Sequence, residues 1–282
     1  MNKLYEKLMK KCIVLAKKSH GQNLPNPYVG AIIYDEEKNE IISEGYHKKY
    51  GENHAERNAI LNSKKPVEGK TLVVNLEPCS HFGKTPPCAD LIVKSKIKKV
   101  IISHIDSNPK VKGRGVEILK KAGVEVIDGV LENEAKELNK IFIKNQTRKK
   151  PYVMTKIAAT LDFKIALKKN EPTVITNEKS HNFVQKLRSE YQAIMTASGT
   201  VLADNPRLNV RLKNKKSPIR IIFDPNNKLN LNYNVFKDDG VRIILINNSD
   251  IILPSYVEKI NFTNFDKLFK ELYQKGIYSI MI

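Results

Sequence analysis

His54-Ala55-Glu56, followed by Pro78-Cys79-Ser80-His81-Phe82-Gly83-Lys84-Thr85-Pro86-Pro87-Cys88, is the stretch on which the reading of this sequence turns. One imidazole and two thiols make a three-ligand zinc set that leaves a fourth position for water, and zinc lowers the pKa of such a water toward neutrality. Glu56 lies two residues after the histidine. There it can point at the water rather than the metal and carry a proton to a leaving amine. His-x-Glu followed by Pro-Cys and a second cysteine is a signature of zinc-dependent deamination of bases. Here the second cysteine comes after eight intervening residues, where that signature has two. A closed structural zinc with His81 as fourth ligand is the blander alternative. A Cys79–Cys88 disulfide sits poorly with three cysteines, an odd number, and no sign of export.

The chain around this stretch is long enough for two ordinary domains, and a hydrophobic content of 41% supplies real cores. No apolar run reaches membrane-spanning length. The basic N-terminus carries Leu4, Leu8, Cys12, Leu15 and Ala16 at helical spacing and no cleavage site, so it reads as an amphipathic helix of a cytoplasmic protein. The net charge of +19 invites a nucleic-acid partner, but only eight of the 49 basic residues are arginine and the lysines are scattered. Recognition of bases and phosphates favours clustered arginine. The expected partners are therefore small molecules, with neither nucleic acid nor membrane, and room is left for a homo-oligomer.

In order, a strand from Tyr28 to Tyr34 and another from Glu40 to Tyr46 form a hairpin. Asn53 N-caps a helix beginning at His54, and a second helix begins near Pro87 with Cys88 in its first turn. Strands at 70–75, 99–103 and 124–127 alternate with helices at 113–122 and 132–145, which argues an α/β sandwich. A polar connection at 145–151 separates domain 1–147 from domain 148–282. The pattern then restarts with strands at 152–158, 193–196, 219–223, 242–246 and 277–282 and helices at 178–190 and 265–274. No Gly-x-Gly-x-x-Gly occurs.

Pro25-Asn26-Pro27-x-Val29-Gly30, Gly45-Tyr46-His47, His54-Ala55-Glu56, Leu76-Glu77-Pro78-Cys79-Ser80-His81 and Gly83-Lys84-Thr85-Pro86-Pro87-Cys88 together resemble the bifunctional riboflavin-biosynthesis deaminase/reductase family of the RibD type. The resemblance implies a cytidine-deaminase-like α/β/α sandwich, then a dihydrofolate-reductase-like α/β domain that uses NADPH. It implies one zinc per chain on His54, Cys79 and Cys88, with Glu56 as proton shuttle. Asn26, His47, Lys84 and Asn108 match residues that hold a pyrimidine and its ribosyl phosphate. A phosphate needs cationic partners, which suits Lys84 and His47. In the second domain Lys156, Arg188, Leu208 and Arg211 match substrate-binding positions, and Ala158, Thr200 and Asp204 match cofactor-binding ones.

The implied reactions are hydrolytic deamination of 2,5-diamino-6-(5-phosphoribosylamino)pyrimidin-4(3H)-one and NADPH-dependent reduction of the resulting 5-amino-6-(5-phosphoribosylamino)uracil. The second domain departs from the family at Phe163, where glycine is usual, and at Pro172 and Val174, where serine and tryptophan are usual. The sequence also stops at Ile282, before the family's Glu-Gly-Gly loop and last strands. The expectation is a C-terminally incomplete reductase domain that reduces poorly. The rivals are a tRNA-type nucleic-acid deaminase and a non-catalytic zinc scaffold.

Overall fold

The computed structural model describes residues 2–19, 21–108, 111–168 and 173–282. The chain divides into two compact units, Met1–Arg148 and Lys149–Ile282. Unit 1 runs through α1 (Lys3–Ala16), β1 (Gly30–Asp35), β2 (Glu40–Tyr46), α2 (Ala55–Leu61), β3 (Thr71–Val74), α3 (Cys88–Lys94), β4 (Lys99–Ile102), α4 (Arg114–Lys121), β5 (Glu125–Ile127), α5 (Glu132–Leu138) and α6 (Lys140–Arg148). Its sheet has the order β2-β1-β3-β4-β5. β1 is antiparallel to β2 and β3, while β3, β4 and β5 are parallel.

Alternate residues of these strands face opposite layers. Ile33, Leu72, Val74, Val100 and Ile102 pack with Ala55 and Ala59 of α2, Ile92 of α3 and Leu119 of α4. Ile32, Val73 and Ile101 pack with Leu8, Met9 and Cys12 of α1 and Ala135 of α5. The result is the expected α/β/α sandwich. Its active edge follows from strand direction. β1 begins where β2 and the parallel strand β3 end, with Gly30 paired to Tyr46 and Ala31 to Val74. Residues 26–29, His47, and the segment from Asn75 to Cys79 therefore meet at one edge of the sheet, the carboxyl end of β3 and β4, where α/β sheets place ligands.

Two local expectations differ from the structure. His54, not Asn53, is the N-cap of α2, and its side chain makes no capping bond. The Asn53 carbonyl instead faces Nδ1 of His47 at 3.1 Å. The helix expected at 132–145 breaks at Asn139, because that buried side chain is drawn to the backbone of Tyr28. Asn139 Oδ1 accepts from Tyr28 N at 2.7 Å and Nδ2 donates to Tyr28 O at 3.1 Å.

Unit 2 comprises β6 (Tyr152–Met154), α7 (Glu178–Glu190), β7 (Ala193–Ala197), α8 (Ser198–Asp204), β8 (Ile219–Phe223), β9 (Ile243–Ile246), β10 (Val257–Ile260), α9 (Phe265–Gln274) and β11 (Ser279–Met281). Its sheet is parallel in the order β10-β9-β8-β7-β11-β6. Val201 of α8, with Val184 and Leu187 of α7, covers one face, and Leu268 and Leu272 of α9 cover the other. Sequence reading stretched β6 to Ala158 and missed α8 and β10. Each is short, and α8 continues β7 without a loop.

Gly45 brings α2 onto β2. A Cβ there would lie 2.4 Å from both Ala55 O and Ala59 N. Gly45→Ala should destabilise unit 1 by about 1–3 kcal/mol, the usual cost of forcing a methyl into a close-packed contact. Urea unfolding measures this.

Candidate active site

Three elements bring the metal-ligand set together. His54 stands at the start of α2, Cys79 follows β3, and Cys88 opens α3. Nδ1 of His54 lies 3.4 Å from Cys79 Sγ and 3.5 Å from Cys88 Sγ, and the three ligand atoms fall within 4.8 Å of one another. A tetrahedral zinc with ordinary Zn–N and Zn–S bonds has an N···S edge of about 3.6 Å. The donor set thus fits zinc in both chemistry and spacing. His81 is not part of this cluster, which leaves the four-ligand alternative without its fourth ligand. The backbone N–H of Cys88 points at Cys79 Sγ, 3.3 Å away. The side-chain hydrogen bond from the Cys88 thiol, and then His54 beside it, hold the Cys79 thiol well below its ordinary value. Thiolate is the form in which cysteine binds metal.

Glu56 lies in the first turn of α2, 3% exposed. Burial raises its carboxyl to about 7. A proton carrier poised near the working pH is what general acid–base chemistry needs. Glu56 opens onto a cavity lined also by Asn26, His47, Tyr50, His54, Cys79, His81, Lys84, Asp106, Asn108, Phe142 and Gln146. The four residues matched to pyrimidine and phosphate binding, Asn26, His47, Lys84 and Asn108, therefore all reach one space beside the metal ligands. Lys84 is exposed, and its Nζ sits 4.1 Å over the ring centroid of Tyr50. His47 is placed differently from a surface cation. It is 2% exposed, and burial lowers its pKa.

Sequence reading missed Tyr50, Asp106, Phe142, Gln146 and the role of Glu77. Glu77 is buried, and its carboxylate accepts four backbone N–H groups. Oε2 takes those of Asp106 at 3.0 Å and Gly113 at 2.9 Å, and Oε1 those of Gly115 at 2.9 Å and Val116 at 3.3 Å. Gly113, the N-cap of α4, has no side chain to cap the helix, so a residue from another strand end does so. Asp106 then accepts from Asn108 N at 2.7 Å, and burial raises its carboxyl to about 6. The only signal available beforehand was position, with Glu77 directly preceding Pro78-Cys79.

In unit 2, Lys156 and Ala158 follow β6, and Thr200 and Asp204 lie on α8, which leaves the carboxyl end of β7. β6 and β7 flank β11, so these residues emerge at one edge of a parallel sheet. Arg188, at the end of α7, donates to Asn209 O at 3.3 Å. Its pKa is lowered by burial and then by the charge of Arg211, so two arginines face the same region. Leu208 is buried. Phe163 is exposed in a turn closed by its N–H on Thr160 O at 3.0 Å, with φ +62°, which explains why glycine suits that position. Val174 is exposed, and Pro172 lies outside the described residues.

Residues 2–104 match the family model described as the cytidine and deoxycytidylate deaminase zinc-binding region, and residues 151–282 match that of the RibD C-terminal domain. Fold and site define a two-domain chain in which a zinc-binding region of that type precedes a RibD C-terminal domain. The chain belongs to the RibD family of riboflavin biosynthesis proteins. The riboflavin biosynthesis protein RibD of Aquifex aeolicus is 43% identical over 84% of this chain and 67% of its own length. That of Synechocystis is 32% identical over 97% and 76%. A Thermotoga maritima structure, a diaminohydroxyphosphoribosylaminopyrimidine deaminase/5-amino-6-(5-phosphoribosylamino)uracil reductase, superposes with TM-score 0.90 at 41% identity, covering 99% of this chain and 80% of that one. The chain spans 57% of the RibD of Actinobacillus pleuropneumoniae, to which it is 49% identical over 77% of its own residues.

Two outcomes are expected. Metal analysis should find about one zinc per chain, and far less in Cys79→Ala, since two ligands do not hold a structured zinc site. Glu77→Gln turns an amide N–H₂ toward backbone donors. It should cost about 1–3 kcal/mol of stability through the buried groups left unsatisfied, read by urea unfolding.

Proposed function

We propose that unit 1 hydrolytically deaminates 2,5-diamino-6-(5-phosphoribosylamino)pyrimidin-4(3H)-one and that unit 2 is the matching NADPH-dependent reductase. The observation that carries this reading is the ligand cluster of His54, Cys79 and Cys88 beside one cavity, which His54 and Cys79 line together with Glu56, Asn26, Lys84 and Asn108. A zinc ion held by the first three supplies a Lewis acid that makes an attacking water available near neutral pH. Glu56 takes the proton released by that water and returns it to the departing amine. Its carboxyl, raised to about 7 by burial, favours both transfers. Asn26 and Asn108 offer amides to the ring and ribosyl groups. Lys84, steadied over Tyr50, offers the cation that a phosphate needs. Closely set pyrimidine, metal and phosphate contacts suit a small nucleotide.

In unit 2, Arg188 and Arg211 hold the phosphate of the deaminated product, with Lys156 and Leu208 against the rest of it. Ala158, Thr200 and Asp204 line the place for NADPH at the carboxyl edge of the parallel strands, which fits a dinucleotide site. NADPH bound there would supply the hydride for that reduction. We place both steps in the cytoplasm, where cysteines outside disulfides stay reduced. Among the described residues no helix is long and apolar enough to cross a membrane.

Purified zinc-loaded chain should release ammonia from the diaminopyrimidine phosphate, and Glu56→Gln should keep its zinc yet lose roughly 10²-fold or more in kcat. An ammonia-coupled assay with NADPH oxidation followed alongside reads both half-reactions. Absence of ammonia from the wild-type chain sinks the deaminase reading.

A further inference from the structure

Helix α6 leaves the break at Asn139 with Asn139, Phe142 and Gln146 at i, i+3 and i+7, the spacing of one helix face. Asn139 is bonded to the backbone of Tyr28, and one turn later Phe142 lines the cavity that Glu56 and Cys79 also line. Phe142 is 6% exposed, yet among the described residues it belongs to neither hydrophobic core of unit 1. Val111 is in the same position. It is 1% exposed, lines the cavity and joins neither core. Its backbone N–H on Asn108 O at 2.9 Å fixes its place. Buried apolar side chains ordinarily pack into a contiguous core, where removal from water is most complete. These two turn to a cavity instead, and an apolar surface placed there completes their burial. A sugar or a phosphate gains nothing from such a wall, since its polar groups would lose water without a partner. A flat heterocycle has apolar faces and a polar edge, which suits a cavity that Phe142 and Val111 share with Asn26 and Glu56.

We propose that Phe142 is a specificity-determining residue: with Val111 it forms an apolar wall on which the face of a heterocyclic ring lies, so that the cavity selects ligands with a flat ring over those that carry only sugar and phosphate. Residue 142 falls between the two stretches matched by family models, 2–104 and 151–282, so neither match covers it. Stacking on an aromatic side chain is tolerant of which base is stacked, because every base has a π-face. Phe142 therefore selects for a ring, and the groups on the edge of that ring are read by other residues. The wall asks nothing of the metal or of any proton. That the ring is a pyrimidine rests on the function proposed above, whereas the placement of the wall does not.

The first test needs no turnover. Zinc-loaded full chain carrying Glu56→Gln, ¹³C-labelled in its valine methyls, is titrated with the diaminopyrimidine phosphate and, separately, with ribose 5-phosphate. The Val111 signals are those missing from Val111→Ile. The ring is expected to shift the Val111 methyls, and ribose 5-phosphate to leave them in place. Unshifted Val111 methyls at millimolar diaminopyrimidine phosphate, or the same shift with ribose 5-phosphate, overturn the inference. The second test is kinetic. Phe142→Ala should raise KM roughly tenfold or more, with kcat moving less, the scale of one base–aromatic contact. Phe142→Leu keeps most of the volume, should raise KM by a smaller factor, and is the variant read if Phe142→Ala does not fold. In the folded variants the inhibition constant of ribose 5-phosphate should stay near that of wild type. An unchanged KM, or an inhibition constant for ribose 5-phosphate that rises in step with KM, overturns the inference. If wild type shows no turnover, the proposed function fails, and the Val111 shifts alone decide the role of Phe142.

Discussion

One buried carboxylate holds the active edge of unit 1 in shape. Glu77 gathers the N–H groups of Asp106, Gly113, Gly115 and Val116, which no helix or strand of their own would satisfy. Such groups are costly when buried alone. The arrangement ties the turn that carries Cys79 to the turn that carries Asp106 and Asn108. The fit is close, because a Cβ on Gly115 would come within 2.0 Å of Pro78 O. Metal ligand and cavity wall thus share one anchor, and neither can shift far without breaking it.

A second set of anchors holds the segment that carries Asn26. Asn75 accepts from Gly30 N at 2.8 Å and donates to Tyr28 O at 3.0 Å, and Asn139 holds both backbone groups of Tyr28. Asn23 fixes Asn26 from within the same loop. Residues 26–29 have little regular structure before β1, and these amides stand in for it. Order at the site comes from side chain to backbone bonds that reach over long stretches of sequence.

That is also why some of the site was legible beforehand and some was not. His54, Glu56, Cys79 and Cys88 announce themselves by residue type and spacing, since metal chemistry permits few ligand sets. β8 and α9 follow from hydrophobic period and need no distant partner, and both stand at the expected residues. The break at Asn139, the burial of His47 and the amide-gathering role of Glu77 each depend on a partner remote in sequence. Periodicity carries no trace of such a partner. A histidine after a strand gives no sign of its burial until the carbonyl of Asn53 and the amide of Asn26 are seen around it.

The broken helix pair α5–α6 changes what counts as the edge of the first domain. The zinc-binding region is matched only as far as residue 104, yet Phe142 and Gln146 line the cavity, and Asn139 grips the loop that presents Asn26. The piece of chain that carries the chemistry is therefore shorter than the piece that keeps the chemistry in register. The zinc-binding match marks the first and long-range hydrogen bonding marks the second. Between them lie some forty residues that brace the site and also add Asn108, Phe142 and Gln146 to the cavity wall.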